Sequence, residues 1–313
     1  MARILCLGDS CADIVVPYGD RFKDDSRFSF SCGGSTANSA AALGRLGTSV
    51  AFAGKAGNDI YGRTMKQELR DCGADVSCFI LDDELLSTQV IVRLDKDGDR
   101  HPSLLIRKRQ AYLEIYPEDL SMVDLSDTEY ILTNGMMLFE EPAASSIIAF
   151  LASAHAQGIR ILLDINYRPE TIHKDRRYLD AALSVSDFLL GSIEDDFLPL
   201  TGTDTLQKAI ERLINENNVI IAHDKKGASA FTINDTFHAD SYPVAIADTL
   251  GAGDAFNAGF LYGLSRHEEL SRCLAYGNAV AAICVSGNGA RHTPDETALN
   301  AFLESRRSWS GSE

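Results

Sequence analysis

Basic residues are scarce in this sequence. Of its 313 residues, 29 are lysine or arginine and 45 are aspartate or glutamate, so the formal net charge at pH 7 is −16. Nucleic acids and anionic membranes bind proteins through basic surfaces, and the composition therefore excludes a general binder of either kind. An anionic substrate is not excluded, because a few local cationic groups can hold one.

Long apolar runs are also missing. None reaches the roughly 20 residues that a membrane-spanning helix needs. The first residues, MARILCLGDSCADIVV, lack the basic region, long apolar core and cleavage site of a signal peptide. The seven cysteines are odd in number and show neither a CxxC pair nor a metal-type spacing with histidine. We therefore expect a cytoplasmic protein with reduced cysteines and no membrane segment.

Short apolar runs alternate with helical patterns along most of the chain. The strand-like runs are RILCLG, SVAFAG, EYILTNG, IRILLDIN, DFLLGS and NVIIAH. Apolar residues recur three or four apart in TANSAAALGRLG, DIYGRTMKQELRDCG, AASSIIAFLASAHAQG and TLQKAIERLINEN. Two closing helices are predicted in LSRCLAYGNAVAAICVSG and DETALNAFLESRR. This alternation predicts an α/β fold with a mostly parallel sheet flanked by helices.

One region departs from the alternation. STQVIVRLDKDGDRHPSLLIRKR predicts two strands joined at an Asp-Gly turn, which is a hairpin. With DIVVPYGDRFKDDSRFSFSCGG it would form a small second sheet. We expect this sheet, built from about 14–31 and 88–109, to act as a lid over the carboxyl edge of the main sheet. The chain has no repeat or linker, so 1–313 is predicted to be one domain with a lid.

The stretch DTLGAGDAFNAGF (248–260) carries the strongest chemical signal. The amides of Gly251, Ala252 and Gly253 would lie at the positive end of a helix, where they bind phosphate or another developing anion. Asp254 would repel a phosphate, but it suits a base that takes a proton from a hydroxyl attacking phosphorus. The alternative is that Asp254 is only a helix N-cap and the glycines form a tight turn.

Three motifs resemble one protein family. DTLGAGDAFNAGF is similar to the C-terminal signature of the ribokinase (PfkB) family of carbohydrate kinases. CGGSTANSAAALGRLG (32–47) resembles its N-terminal signature, and GDSCADIVV (8–16) resembles its first strand. The order and separation of the motifs agree over essentially the whole chain. The resemblance implies a ribokinase-like three-layer α/β/α sandwich with a β-sheet lid, transfer of phosphate from ATP with Mg²⁺, and a homodimer formed through the lid.

The resemblance also implies roles for individual residues. Asp254 would be the catalytic base, and Gly251, Ala252 and Gly253 would form the anion hole for the transferring phosphoryl group. The residues implied to hold the sugar hydroxyls are Asp13, Gly33, Gly34 and Asn38. By residue type alone, Asp13 suits a turn, the Gly pair a tight loop and Asn38 a polar position on a helix.

The implied nucleotide residues fall in two less regular motifs. GSIEDDF (191–197) resembles the NxxE region of the family, which implies that Ser192 contacts the nucleotide and that Glu194 helps to organise magnesium. Gly191 stands where the family has asparagine. AHDKKGASAF (222–231) resembles the GxxG loop beside the ATP phosphates, which implies Lys225 and Gly227. The first glycine of that loop is aspartate here, and an exposed charged turn is the alternative.

Two further contacts are implied by the family alone. Asn278 matches a position near the adenine. Many members hold a potassium ion through backbone carbonyls, which would come here from the segments around Asp248 and Gly289. Carbonyl ligands leave no side-chain signature, so the sequence does not decide whether this chain uses potassium.

Two arginines bear on the substrate. Arg107 follows the predicted hairpin, and Arg168 follows a strand in LLDINYRPETI. A guanidinium matches a carboxylate bidentately, whereas a neutral sugar does not need one. Both stretches resemble the sugar-acid branch of the family, the 2-keto-3-deoxygluconate and 5-dehydro-2-deoxygluconate kinases. One alternative is that both arginines are surface charges, and another is that the substrate is a neutral sugar, fructose or ribose. Ile172 also departs from the family, which often has an aromatic residue shortly after the arginine at position 168.

Other functions fit the sequence less well. A dinucleotide-binding oxidoreductase carries its glycine fingerprint in the first βα unit, whereas GAGDAF lies in the last third of this chain. A P-loop kinase needs GxxxxGK[ST], which is absent. A family member that binds ligand without transferring phosphate remains an alternative because of Gly191 and Asp224, although the retained Asp254 speaks against it.

Overall fold

The computed structural model describes residues 3–16, 29–94, 100–105, 110–167 and 175–307. Its strands are β1 (Arg3–Leu7), β2 (Cys11–Val16), β3 (Ser29–Gly33), β4 (Val50–Gly57), β5 (Phe79–Asp82), β6 (Thr88–Leu94), β7 (Arg100–Leu105), β8 (Thr128–Asn134), β9 (Arg160–Asp164), β10 (Phe188–Ser192), β11 (Val219–Asp224), β12 (Gly227–Phe231) and β13 (Thr236–Asp240). Its α-helices are α1 (Ser35–Arg45), α2 (Ile60–Asp71), α3 (Pro117–Ser121), α4 (Ala143–Ala156), α5 (Arg177–Val185), α6 (Leu198–Thr201), α7 (Leu206–Leu213), α8 (Ala252–Ser265), α9 (Leu270–Val285) and α10 (Glu296–Arg307).

The main sheet of the described chain runs in the order β13-β12-β11-β10-β9-β8-β1-β4-β5. From β5 to β11 neighbouring strands are parallel, and Leu5 of β1 lies opposite Ala51 of β4 and Ile131 of β8. β12 and β13 extend one edge as an antiparallel hairpin. Because the parallel strands all end at the same edge, the residues that follow them converge there.

Helices cover both faces of this sheet. Alternate side chains of a strand point to opposite faces. On β1, Ile4 and Cys6 pack in a buried cluster with residues of α1, α8 and α9, whereas Leu5 and Leu7 pack in a second cluster with residues of α4, α5 and α7. The predicted three-layer α/β/α arrangement is confirmed.

A separate small sheet has the strand order β3-β2-β6-β7. β2 is antiparallel to β3 and parallel to β6, and β6 is antiparallel to β7, as the Asp-Gly turn predicted. Its first strand follows β1, and β3 leads directly into α1. The sheet is therefore connected to the carboxyl end of the main sheet, where the predicted lid belongs. Its movement as a lid stays a prediction.

The six strand-like runs and all the helical patterns singled out in the sequence are confirmed as elements. The pattern missed the strands β5, β12 and β13 and the helices α3, α5 and α6. β12 and β13 are five residues each, rich in small or polar side chains, and β13 alternates only between exposed and half-buried positions, so the hydrophobic contrast is weak. Among the described residues, no helix is both long and apolar enough to cross a membrane.

Candidate active site

A cavity of about 470 Å³ lies at the carboxyl edge of the main sheet. Five parallel strands each contribute a residue from their end or from just beyond it. These residues are Asp9, Met136, Asp164, Ser192 and His223. The first turns of α1 and α8 close the cavity from one face of the sheet. The fold thus places two helix N-termini and several carboxylates around one space.

The start of α8 has the backbone geometry that the sequence predicts. Gly251 is the N-cap residue with φ +77°, and a Cβ there would lie 2.6 Å from the Cβ of Ala290, so this position requires glycine. Among the described residues the amides of Gly251 and Gly253 have no acceptor, whereas Ala252 donates to the carbonyl of Thr249 over 3.3 Å. Two unpaired amides therefore face the cavity at the positive end of the helix.

Asp254 lies in the first turn of α8 and lines the cavity. Asn38 donates from Nδ2 to Asp254 Oδ2 over 2.8 Å, and Ser35 donates from Oγ to Asp254 Oδ1 over 2.8 Å. Both donors belong to α1, so two helix N-termini jointly fix the carboxylate. The N-cap interpretation of Asp254 is wrong, because Gly251 occupies that position.

Ser35 also reaches a second carboxylate. Its Oγ lies 3.0 Å from Asp164 Oδ2, at the end of β9. One hydroxyl carries one proton, so Ser35 donates to Asp254 or to Asp164 but not fully to both at once. Neither Ser35 nor Asp164 was predicted from the sequence, although Asp164 lies only four residues before Arg168 in LLDINYRPETI.

A buried aspartate anchors the start of α1. Asp9, 5% exposed, accepts from the Ser35 and Thr36 amides at 3.0 and 3.2 Å and from Asn134 Nδ2 at 2.7 Å. An acid at a helix N-terminus satisfies amides that have no partner within the helix. Gly34 has φ +99°, and a Cβ there would lie 2.6 Å from the Asp9 carbonyl oxygen. Asp9 and Gly34 thus set the position of α1.

Asp13 reaches the cavity from β2 of the small sheet. Cys11, the first residue of that strand, lies with its Sγ 3.6 Å from Asp13 Oδ1. A Cβ at Gly33 would lie 2.4 Å from Asp13 Oδ2, so glycine leaves room for this carboxylate. The implied sugar residues Asp13, Gly34 and Asn38 all line the cavity, and Gly33 contacts one of them; their contact with a sugar stays a prediction.

Residues 1–298 match the model of the pfkB family of carbohydrate kinases. The chain belongs to this family. It is a sugar kinase, and its fold is ribokinase-like, as the motifs predicted.

Similar proteins with assigned names are also sugar kinases. A 5-dehydro-2-deoxygluconokinase of Listeria monocytogenes serovar 1/2a is 28% identical over 305 residues, which cover 94% of each chain. A fructokinase of Vibrio cholerae O395, solved with fructose, ADP and potassium, is 26% identical with a TM-score of 0.83 over 97% of this chain and 98% of its own. A protein of E. coli provisionally named Ribokinase II, solved with ATP and Mg²⁺, is 24% identical with a TM-score of 0.87, covering 97% and 100%.

The kinase's NxxE-like segment forms a single π-helical turn after β10, Ile193–Phe197. Ser192 lines the cavity and accepts from the Asp195 amide at 3.1 Å. Glu194 is exposed and is not among the lining residues, whereas Asp195 and Asp196 are. Two carboxylates of this turn, those of Asp195 and Asp196, therefore line the cavity, and the magnesium role implied for Glu194 stays a prediction.

The packing around position 191 accounts for a glycine there. A Cβ at this position would lie 2.9 Å from the Cβ of Asp196. Asp196 accepts from the amides of Tyr167 and Ser192, both at 2.7 Å, and so joins the β9 and β10 loops. The family's asparagine would collide with this buried aspartate, which explains the departure at Gly191.

The GxxG-like segment forms the hairpin turn between β11 and β12. Asp224 and Lys225 are both exposed, and Asp224 accepts from the Lys226 amide at 2.7 Å. Gly227 has φ +144°, and a Cβ there would lie 2.2 Å from the Ala239 carbonyl oxygen. The glycine therefore allows β12 to pair with β13. Contact of Lys225 or Gly227 with a nucleotide stays a prediction.

The remaining family positions have structural contacts of their own. Asn278 on α9 donates to the carbonyl oxygens of Ala239 and Asp240 at 2.8 and 3.1 Å, which fixes the end of β13. Asp248 accepts from the Gly289 amide at 2.9 Å. An adenine contact by Asn278 and a potassium site near Asp248 and Gly289 stay predictions. Arg107 and Arg168 lie outside the described residues.

His223 forms part of the wall beside α8. Its ring packs against Phe256 with 5.0 Å between ring centroids, and its Cε1 lies 3.8 Å from the position of a Cβ at Gly253. Burial lowers the pKa of His223, and the carboxylates of Asp196 and Asp224 offset only part of that effect. The ring is therefore neutral near pH 7.

We expect acid to destabilise the fold through His223. The unfolded histidine takes up a proton near pH 6.5, whereas the folded one resists it, so the free energy of unfolding falls as the pH drops through about 6.5. Thermal melts at about pH 7.5 and about pH 5.5 would measure this. His223→Asn should lose less stability between the two values than the parent chain. An equal loss in both would mean that other groups carry the pH dependence.

Proposed function

We propose that this sugar kinase transfers the terminal phosphoryl group of ATP to a hydroxyl of a sugar acid. One observation carries the proposal: the Asp254 carboxylate and the unpaired amides of Gly251 and Gly253 belong to one helix start and line one cavity. Such amides suit the charge of a phosphoryl group, and a carboxylate beside them suits proton removal. A binding protein that does not transfer phosphate would need no base at that point.

The chemistry assigned to the chain is proton removal and charge stabilisation. Asp254 would accept the proton of the attacking hydroxyl as the new O–P bond forms and the bond to the bridging oxygen of ADP breaks. The contacts with Ser35 and Asn38 fix the plane of the carboxylate toward the cavity. The amides of Gly251 and Gly253 would stabilise the charge on the phosphoryl oxygens.

The residue that would hold magnesium follows from the ligands that this ion prefers. Mg²⁺ prefers carboxylate oxygens together with the phosphates of its substrate. Asp195 is an exposed carboxylate that lines the cavity, whereas both Asp196 oxygens accept from backbone amides. We assign Asp195 to this role in place of Glu194. The bound ion would neutralise phosphate charge.

The small sheet is proposed to act as a lid on this site. β2 carries Cys11 and Asp13 into the lining of the cavity, although both residues belong to the small sheet. A displacement of the sheet would therefore open or close the sugar end of the site. Closure would keep water from the phosphoryl group, since water is a competing acceptor.

For the acceptor, 5-dehydro-2-deoxygluconate is the first choice and 2-keto-3-deoxygluconate the second. The support is the name shared by relatives at 28% identity, together with Arg107 and Arg168 in the sequence. ADP release measured over gluconate derivatives, hexoses, pentoses and nucleosides tests the choice. Release with any of these sugars supports a kinase, and release only with neutral sugars contradicts the sugar-acid assignment. No sugar-dependent release across the panel would favour a binding protein.

Arginine substitutions test whether a carboxylate is recognised. We expect Arg107→Ala and Arg168→Ala to lower kcat/KM for the sugar acid about tenfold more than for fructose or ribose, because a bidentate pair is lost only with the acid. Steady-state kinetics with both substrates measures the ratio. Arg212→Ala, a change of an exposed helix arginine, serves as the control. Equal losses on acidic and neutral sugars would remove the carboxylate interpretation.

A neutral sugar is the second candidate. The fructokinase neighbour at 26% identity was solved with fructose, and several carboxylates line the cavity of this chain. Aspartates accept hydrogen bonds from sugar hydroxyls without needing a charge on the sugar. Comparing kcat/KM for fructose with that for the sugar acids decides between the candidates.

A further inference from the structure

A buried arginine stands behind the catalytic carboxylate. Arg291, 9% exposed, lies in the segment between α9 and α10 and is not among the residues that line the cavity. Its Nε donates to Asn38 Oδ1 at 3.0 Å, and Asn38 Nδ2 in turn donates to Asp254 Oδ2 at 2.8 Å. The guanidinium is therefore one residue removed from the carboxylate that the mechanism uses.

The contact with Arg291 fixes which side of the Asn38 amide faces Asp254. An amide group has an oxygen on one side and an NH₂ on the other, and rotating it by half a turn would set its oxygen against the carboxylate. Arg291 has only donors, so it accepts only the orientation in which the amide oxygen faces it. Without Arg291 nothing among these contacts prevents the rotation. The carboxylate of Asp254 would then lose a donor and gain a repulsion.

Glu68 on α2 holds the other end of the guanidinium. Its Oε1 lies 3.1 Å from Arg291 Nη1. A buried cation needs a compensating charge, and this ion pair supplies it, although Nη1 and Nη2 of Arg291 form no hydrogen bond among the described residues. The contacts thus form a chain of pairs that joins three helices and the segment carrying Arg291. In order, its members are Glu68, Arg291, Asn38 and Asp254.

We propose that Arg291, held by Glu68, is a positioning residue that sets the Asn38 amide and through it the Asp254 carboxylate. The inference rests on the proposed function, in which Asp254 is the base. Arg291 touches neither substrate in this assignment. Its effect should therefore appear in kcat, through the orientation of the base, and depend on Asn38.

A double-mutant cycle on turnover tests this dependence. Arg291→Gln should lower kcat about tenfold at saturating sugar, because small displacements of a reacting group are costly, while KM for ATP stays within about twofold. Asn38→Ala should lower kcat by a similar or larger factor. The double variant should be no slower than Asn38→Ala alone. Losses that multiply, or an Arg291→Gln enzyme as fast as the parent, would overturn the inference.

A second cycle needs no turnover and separates this inference from the proposed function. The coupling between Asn38 and Asp254 in the free energy of unfolding is measured with Asn38→Ala and Asp254→Ala, first in the parent chain and then with Arg291→Gln. We expect clear coupling in the parent and none with Arg291→Gln. Equal coupling in both would overturn the inference, even if no sugar is phosphorylated. Should Arg291→Gln fail to fold, Glu68→Gln replaces it, with coupling expected to weaken.

Discussion

Replacing Asp254 with Asn should lower kcat by about two to four orders of magnitude, the usual effect of removing a positioned general base. Asparagine keeps the size of the side chain and one acceptor oxygen, so hydrogen bonds with Ser35 or Asn38 can persist. It cannot take the proton of a hydroxyl. KM for ATP should change little, because the amides of α8 remain. A coupled ADP-release assay at saturating sugar measures the effect.

Asp204→Asn is the matched control for that experiment. Asp204 is an exposed aspartate that contacts Lys208 on the surface, and it does not line the cavity. Its substitution should leave kcat unchanged. An Asp254→Asn enzyme that turned over near the parent rate would show that another group accepts the proton, and the assignment of the base would be wrong.

Replacing Gly253 with Ala should lower kcat/KM for ATP about 100-fold while leaving the melting temperature nearly unchanged. The protein itself offers no obstacle, since the nearest atom to the added Cβ is His223 Cε1 at 3.8 Å, an ordinary contact distance. The methyl group would occupy space beside the unpaired amide, where the phosphoryl group is proposed to bind. A displacement of about 1 Å there is enough for a loss of this size.

Gly251→Ala provides the contrast to Gly253→Ala. Here the Cβ would lie 2.6 Å from the Cβ of Ala290, at a residue with φ +77°. Strain and collision should lower both the melting temperature and the activity. The two glycines thus separate a structural requirement from a ligand requirement. Unchanged ATP kinetics in Gly253→Ala would mean that no phosphoryl group approaches this amide.

The elements that position the site were predicted because their signals are local. The apolar run of β1 and the small-residue helix of α1 follow from spacing within a dozen residues. The glycines at the start of α8 and the Gly33-Gly34 pair show where the backbone must turn tightly or pass close to another group. These features could be found without knowing which parts of the chain meet.

The partners of Asp254 were predicted only in part. Asn38 was named as a sugar ligand, yet its amide also contacts the carboxylate. Ser35 and Asp254 are 219 positions apart, and Asn38 and Arg291 are 253 apart. Serine, arginine and glutamate are common surface residues, so the residue types of Ser35, Arg291 and Glu68 did not indicate a place near the catalytic aspartate. The sequence also did not show which carboxylates of the turn 193–197 line the cavity: Asp195 and Asp196 do, whereas Glu194 does not.

The α/β class, the positions of most helices and strands, the family and the aspartate in the first turn of α8 could all be found along the chain. Periodicity and glycine placement depend on neighbouring residues, and so they can be recognised along the chain. The fold alone brings Ser35 and Asn38 within hydrogen-bonding distance of that aspartate, sets Asp164 against Ser35, and places Arg291 and Glu68 behind Asn38. Those contacts arise where parallel strands end at one edge and two helix starts converge, and such convergence depends on the packing of distant segments.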